Sequence, residues 1–245
     1  MKMIKRSYII FYALCATLLL VSCAHRTRNQ QFGKGAPVER SNSSSKSYSK
    51  GSVEVKKPSG ASMDGSEIFK KFNSAVFMVF TSNGFEDYQG SGFFIDDHGL
   101  AVSNYHVFKG TSRGSEQIKL EGSDIAYHIE EIIAKDEEHD FIIFRVNSEK
   151  NNFFEVAAIK PEVGEKVFAI GSPRGLENTF SSGEVSQWRS EYVMQINVQI
   201  DHGSSGGPLI NQYGQVVGIT SGTFYDGSQA NLNYAWSIDV IKGSI

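Results

Sequence analysis

Ser205 stands in the string Gly203-Ser204-Ser205-Gly206-Gly207-Pro208-Leu209. A serine among glycines suits acyl transfer. Small neighbours admit a substrate carbonyl, and the adjacent backbone N–H groups can face a developing oxyanion. A hydroxyl is a weak nucleophile by itself, so a general base has to be found. The string also satisfies G-x-S-x-G, the elbow of α/β-hydrolases, in which the catalytic His follows the Ser. The six histidines lie at 25, 98, 106, 128, 139 and 202, and none follows Ser205. Pro208 and the strand-like residues after it also oppose the helix that an elbow requires. The elbow is excluded, and the base must precede the nucleophile.

His106 lies just past the apolar run that starts at Leu100, and Asp140 opens the apolar run Phe141–Val146. Asp136 is a rival acid for orienting the base, but it lies outside the strand that would fix it. His98 reads as part of a turn, His128 as part of an alternating strand, and His139 as a structural neighbour of Asp140. The order His106, Asp140, Ser205 is that of the chymotrypsin-type triad; subtilisins run Asp, His, Ser.

The elements that must position these residues read as strands. Short apolar or alternating runs occur at 75–81, 90–95, 100–103, 125–134, 141–146, 166–170, 192–200, 215–220 and 232–238. Turn signals such as Asn83-Gly84, Tyr213-Gly214 and Asp226-Gly227 separate them. Helices are expected only near Glu67–Asn73 and after Ile238. Strands at this spacing, without long helices between them, indicate an all-β barrel or sandwich. No repeat of fixed period is present.

Four segments then resemble one family. GSGFFIDDHGLAVSNYHV at 90–107 resembles the GSG…G…TNxHV signature of trypsin-like peptidases of the HtrA (Deg) type. HDFIIFRV at 139–146 resembles their D-x-A-x-x-K-V strand, and AIGSPRGLENTFSSGEVSQ at 169–187 their AIGxPxGL…SGxVS segment. QINVQIDHGSSGGPLINQYGQVVGIT at 195–220 resembles their nucleophile region throughout.

The resemblance implies two antiparallel six-stranded β-barrels of the chymotrypsin/trypsin type, with lobes of about 66–155 and 156–245 and the site between them. It implies that Ser205 attacks, His106 moves the proton, Asp140 holds the imidazole, and the N–H groups of Gly203 and Ser205 bind the oxyanion. The substrate pocket is expected from Gln199, His202, Ile219-Thr220-Ser221-Gly222 and Tyr234-Ala235-Trp236, modest in size and mostly apolar. The chain departs from the family at Asp201-His202-Gly203-Ser204, where relatives usually show Asn-Pro-Gly-Asn. Gln199, six residues before the nucleophile, is not an acid, so a Lys/Arg preference is not expected. HtrA proteins typically carry a PDZ domain after the protease. The sequence stops at Ile245, so regulation by that route is not expected either.

Composition places this catalytic part. Residues 66–245 hold 13 Lys/Arg against 24 Asp/Glu, a balance that excludes a cationic nucleic-acid face. Lys2, Lys5 and Arg6 precede an apolar run from Tyr8 to Val21, which reads as an export signal over 1–22. Its end, Leu20-Val21-Ser22-Cys23, resembles the bacterial lipobox, implying lipidation of Cys23. Ala24 after it resembles outer-membrane lipoproteins, so the chain is expected on the outer membrane facing the periplasm. Residues 23–65 then form the anchor site and a tether, with seven serines in the twelve residues 41–52.

Both cysteines, Cys15 and Cys23, lie in this leader, so the folded part, 66–245, has no disulfide or thiol nucleophile. Without a phosphate-cradling loop, HExxH or Cys/His cluster, neither a metal nor a cofactor is expected. The expected partners are polypeptide substrates and a lipid bilayer, and nothing in the sequence indicates an oligomer. Two other readings stay open: a catalytically silent binding or scaffold lipoprotein, and an esterase using the same triad.

Overall fold

The computed structural model describes residues 60–112, 114–148, 150–223 and 232–245. The export signal, Cys23 and most of the tether lie outside them. One α-helix, α1 (Gly65–Phe72), opens the described chain. Asp64 and Glu67 form a reciprocal capping box: Asp64 Oδ1 accepts from the Glu67 N–H at 2.9 Å, and Glu67 Oε2 from the Asp64 N–H at 2.8 Å.

Twelve strands follow, six to a barrel. The first six are β1 (Val76–Ser82), β2 (Asp87–Phe94), β3 (Leu100–Ser103), β4 (Gln117–Leu120), β5 (Ala126–Asp136) and β6 (Phe141–Val146). The second six are β7 (Lys166–Gly171), β8 (Thr179–Trp188), β9 (Val193–Ile196), β10 (Pro208–Asn211), β11 (Val216–Thr223) and β12 (Asn233–Ser237). Each set closes into an antiparallel barrel. The orders, β1-β2-β3-β6-β5-β4 and β7-β8-β9-β12-β11-β10, are the same connectivity used twice. The all-β class and the two six-stranded barrels are therefore as the resemblance implied.

Two of these strands, β4 and β8, were not expected from the sequence, and β10 was read only as strand-like residues after Pro208. Each hides its period for a local reason. β4 buries only Ile118, β8 buries only Val185 among polar residues, and β10 starts at the proline of the glycine-rich string. The helix expected after Ile238 is a single 3-10 turn, Ile238–Ile241.

Three apolar clusters are formed by the described residues. Phe77, Val79, Phe94, Ile118, Ile142 and Phe144 fill the first barrel. Val167, Val185, Met194, Ile196, Leu209 and Val217 fill the second. The largest lies in the seam between the barrels and takes Val76, Phe93, Phe141, Ile143, Phe168, Ile170, Val216 and Ile219, with Ile68 and Phe72 of α1. Strand alternation explains the continuous runs FIIF and VFAI. Ile142 and Phe144 point into the first barrel while Phe141 and Ile143 point into the seam; Val167 and Ala169 are matched in the same way by Phe168 and Ile170. Both faces are buried, so no polar residue interrupts the run. Phe154, from the segment joining the barrels, stacks on Phe72 with ring centroids 4.8 Å apart, tying α1 to that joint.

Candidate active site

His106 sits in the 3-10 turn Tyr105–Val107 just after β3. Asp140 closes the β5–β6 turn with a φ of +50°, a conformation uncommon outside glycine. The two are locked together from several sides. Asp140 Oδ2 lies 2.8 Å from His106 Nδ1, and Oδ1 accepts the backbone N–H of His106 at 2.9 Å. The Asp140 carbonyl accepts from Asn104 Nδ2 at 2.8 Å and from the Tyr105 N–H at 3.3 Å. A carboxylate can only accept, so Nδ1 carries the proton, and in the neutral ring the lone pair is on Nε2. Asp140 is sheltered and His106 open: their side chains are 16% and 46% exposed.

The rival acid is engaged elsewhere. Asp136 Oδ2 lies 2.9 Å from His139 Nδ1, whose ring sits edge-on to Tyr192 and Trp236. The hydrogen bond from His139 holds the Asp136 carboxyl below its ordinary 3.8, with the His139 and Glu138 N–H groups adding to it and desolvation opposing it. The Asp201 carboxyl is also lowered, first by the His202 N–H and then by Arg174, whose Nε lies 2.8 Å away. A carboxylate with a depressed folded pKa stabilises above its unfolded value and loses that contribution as pH falls through the folded one. Replacing Asp136 by Asn is expected to flatten the fall in thermal midpoint below about pH 3.8. A scan of unfolding temperature between pH 2 and 6 checks this, and an unchanged acid limb would refute it.

Ser205 comes from the second barrel, on the loop between β9 and β10. Its hydroxyl donates to the Ser221 carbonyl at 2.7 Å, and the Ser221 hydroxyl donates to Asp140 Oδ2 at 2.9 Å. Ser221 therefore touches both Ser205 and Asp140. The glycines after and before Ser205 are forced by crowding. Gly206 has a φ of +90°, and a Cβ there would lie 2.3 Å from the Ser91 carbonyl oxygen. Gly203 has a φ of +95°, and its Cβ would lie 2.6 Å from the Ser172 carbonyl oxygen.

The loop's peptide planes are pinned by their carbonyls. The His202 carbonyl accepts from the Arg174 N–H at 2.8 Å. The Ser204 carbonyl accepts from Thr220 Oγ1 at 2.8 Å and from the Gly207 N–H at 3.1 Å. The C=O and N–H of a trans peptide point opposite ways, so the N–H groups of Gly203 and Ser205 are turned away from these anchors. Neither N–H has an acceptor among the described residues. Two free donors beside a serine are what an oxyanion needs.

A cavity of about 310 Å³ borders this loop, lined by Gln199, Ile200, Asp201, Ser204 and Thr220 on one side and by Ile170, Leu176 and Phe180 on another. Of the expected pocket residues, Gln199 and Thr220 line it. Ser221 lies at the nucleophile instead, and Gly222 pairs with Tyr234 in the β11–β12 register. His202 is exposed. Trp236 turns to the seam and meets His139, because alternation along β12 puts it opposite the inward Ala235. Sequence reasoning missed Ser91, Asn104 and the hydroxyl of Ser221. Ser91 and Asn104 lay inside quoted motifs, where the glycines and the histidine drew the reading.

Residues 90–219 match the family described as a trypsin-like peptidase domain, and the chain belongs to it. The chain is 34% identical over 160 residues to a probable periplasmic serine endoprotease DegP-like of Halomonas elongata, covering 62% of this chain and 33% of that protein. Protease Do-like 1, chloroplastic, of Arabidopsis thaliana is 29% identical over 171 residues, covering 64% of this chain and 38% of that protein. Serine protease HTRA1 of Xenopus laevis is 34% identical over 146 residues, covering 54% and 31%. The chain thus spans between 31% and 61% of the length of such relatives. The crystal structure of the serine endoprotease from Yersinia pestis has the same fold, with a TM-score of 0.66 at 20% identity over 75% of this chain and 66% of that one.

Proposed function

We propose that the chain is a serine endopeptidase of the HtrA/Deg type that cuts unfolded or secreted polypeptides with Ser205, His106 and Asp140. The observation that carries this is the His106–Asp140 pair, locked by side chain and backbone, with Ser221 linking its carboxylate to the nucleophile. His106 Nε2 takes the proton as Ser205 Oγ attacks the scissile carbonyl, and Asp140 stabilises the imidazolium. The N–H groups of Gly203 and Ser205 take up the oxyanion. The imidazolium then protonates the leaving amine, and water hydrolyses the acyl-enzyme by the same steps in reverse.

A catalytically silent binding protein is the second reading. It is favoured by the Ser205 hydroxyl lying on the Ser221 carbonyl, with no hydrogen bond to His106 among the described residues. Incubating the full chain with a fluorophosphonate probe and with unfolded casein separates the two. Labelling of Ser205 together with casein cleavage supports the peptidase. No labelling favours the silent protein, and labelling without proteolysis favours an esterase.

The enzyme acts at a membrane, held by lipid on Cys23 and a tether up to residue 65, on the outer membrane facing the periplasm. The leader's charge and apolar run support this, as does the likeness to proteins named periplasmic. Each buried methylene of a lipid chain supplies about 0.8 kcal/mol, so a multiply acylated cysteine anchors firmly. Radiolabelled palmitate is expected to enter the wild type and not Cys23→Ala. An unlabelled wild type would overturn the anchor.

A further inference from the structure

The oxyanion loop belongs to the second barrel, yet a serine of the first also holds it. Ser91 lies in β2, is 0% exposed, and turns its N–H and its hydroxyl to the site. Its N–H donates to the Ser205 carbonyl at 2.8 Å, and its own carbonyl accepts from Ser103 Oγ at 2.7 Å. Its hydroxyl does two things at once. It donates to the Gly203 carbonyl at 2.7 Å and accepts the Ser172 N–H at 2.9 Å.

Both bonds act on the same donor. Gly203 carries one of the two free N–H groups, and the peptide on its far side is fixed by Ser91. The peptide on its near side is fixed by the Arg174 N–H on the His202 carbonyl, and Arg174 belongs to the turn Pro173–Gly175 directly after Ser172. Arg174 itself has a φ of +53°, so this turn needs holding. Ser172 is where it is held: its N–H meets Ser91, and its carbonyl accepts from Gln89 Nε2 at 2.8 Å, two residues earlier on β2. Glycine offers no side-chain resistance to rotation of either flanking peptide. Without the Ser91 hydroxyl, the Gly203 carbonyl and the Ser172 N–H would both lose a buried partner.

We infer that Ser91 is a positioning residue for catalysis: its hydroxyl, reaching across the seam, fixes the Gly203 N–H in the direction an oxyanion requires. This rests on the peptidase reading above. It assigns Ser91 no contact with the reacting atoms; Ser91 acts through Gly203 and Ser172.

The test compares the full-length wild type with Ser91→Ala on a peptide amide substrate. Loss of a whole oxyanion donor costs roughly 100- to 1,000-fold in kcat, so a misaimed one is expected to cost about 10- to 100-fold. KM should stay within about twofold. A peptide boronate, whose tetrahedral adduct puts an oxygen where the oxyanion sits, should bind weaker by the same factor as kcat. A product peptide without that oxygen should bind unchanged. A merely structural role would move KM, product binding and thermal midpoint together with kcat. Should Ser91→Ala not fold, Ser91→Cys, which keeps a weaker donor, is expected to show a smaller loss in the same two readouts.

An active wild type with unaltered kcat and boronate affinity in these variants overturns the role of Ser91 and leaves the peptidase reading standing. A wild type that neither labels nor cleaves overturns both.

Discussion

Replacing Ser205 by alanine is expected to lower kcat by about 10⁴- to 10⁶-fold while leaving the fold intact. Among the described residues the Ser205 hydroxyl makes one hydrogen bond, to the Ser221 carbonyl, and the residue is only half-buried. The loop's shape depends instead on backbone groups and on Thr220 and Ser91, which the substitution does not touch. Thermal unfolding should therefore shift little, and KM for a polypeptide should hold. The measurement is casein hydrolysis and fluorophosphonate labelling on matched folded samples. Residual turnover within tenfold of the wild type would mean that another group attacks.

Asp140→Asn is expected to cost about 10⁴-fold in kcat, and for a different reason. The carboxylate accepts from His106 Nδ1, from the His106 N–H and from Ser221 Oγ. An amide in its place has one accepting oxygen and one donating nitrogen. With its oxygen on the His106 N–H, its nitrogen faces Nδ1, which must then accept. The imidazole proton moves to Nε2, where it blocks removal of the serine proton. The loss should fall on kcat more than on KM. An Asp136→Asn variant, whose partner is His139, should keep its activity. If the two variants lost activity in the reverse order, the pairing described here would be wrong.

Chain order and residue type pointed to Ser205 and His106, because a nucleophile without a later histidine excludes one fold and admits another; the family came from the resemblance of four segments. The preference for Asp140 over Asp136 was drawn from the apolar strand that begins at Phe141, although Asp136 itself proves to end strand β5. The structure supplies the reason: the turn gives each acid its own histidine. Strands with both faces buried were easy to read, since they spell unbroken apolar runs. Strand β8 was not, because it fully buries only Val185, and its partly buried Phe180 and Trp188 stand eight residues apart with mostly polar residues between them.

Trp236 shows the limit of reading a pocket from adjacency. Its place in β12 was legible, but which neighbour its face meets depends on how the two barrels are set, and that put it beside His139. Ser91 was hidden for a similar reason. Its partners are 81 and 112 residues away, and a serine between two glycines has no local period to betray it.

The seam cluster has a thermodynamic consequence. Two barrels of identical connectivity invite the view that each is a unit that could melt alone. Yet Phe93, Ile143, Phe168 and Ile219, drawn from both, lie in one buried cluster that the two barrels share with α1. Each such side chain contributes about 1.5–3 kcal/mol when fully buried. Separating the halves would forfeit several of these at once, comparable to the whole stability of a small domain. The protein should accordingly unfold in one cooperative step, with calorimetric and van't Hoff enthalpies in agreement. Heating should then extinguish activity and near-ultraviolet dichroism together, with no active half-molten species between.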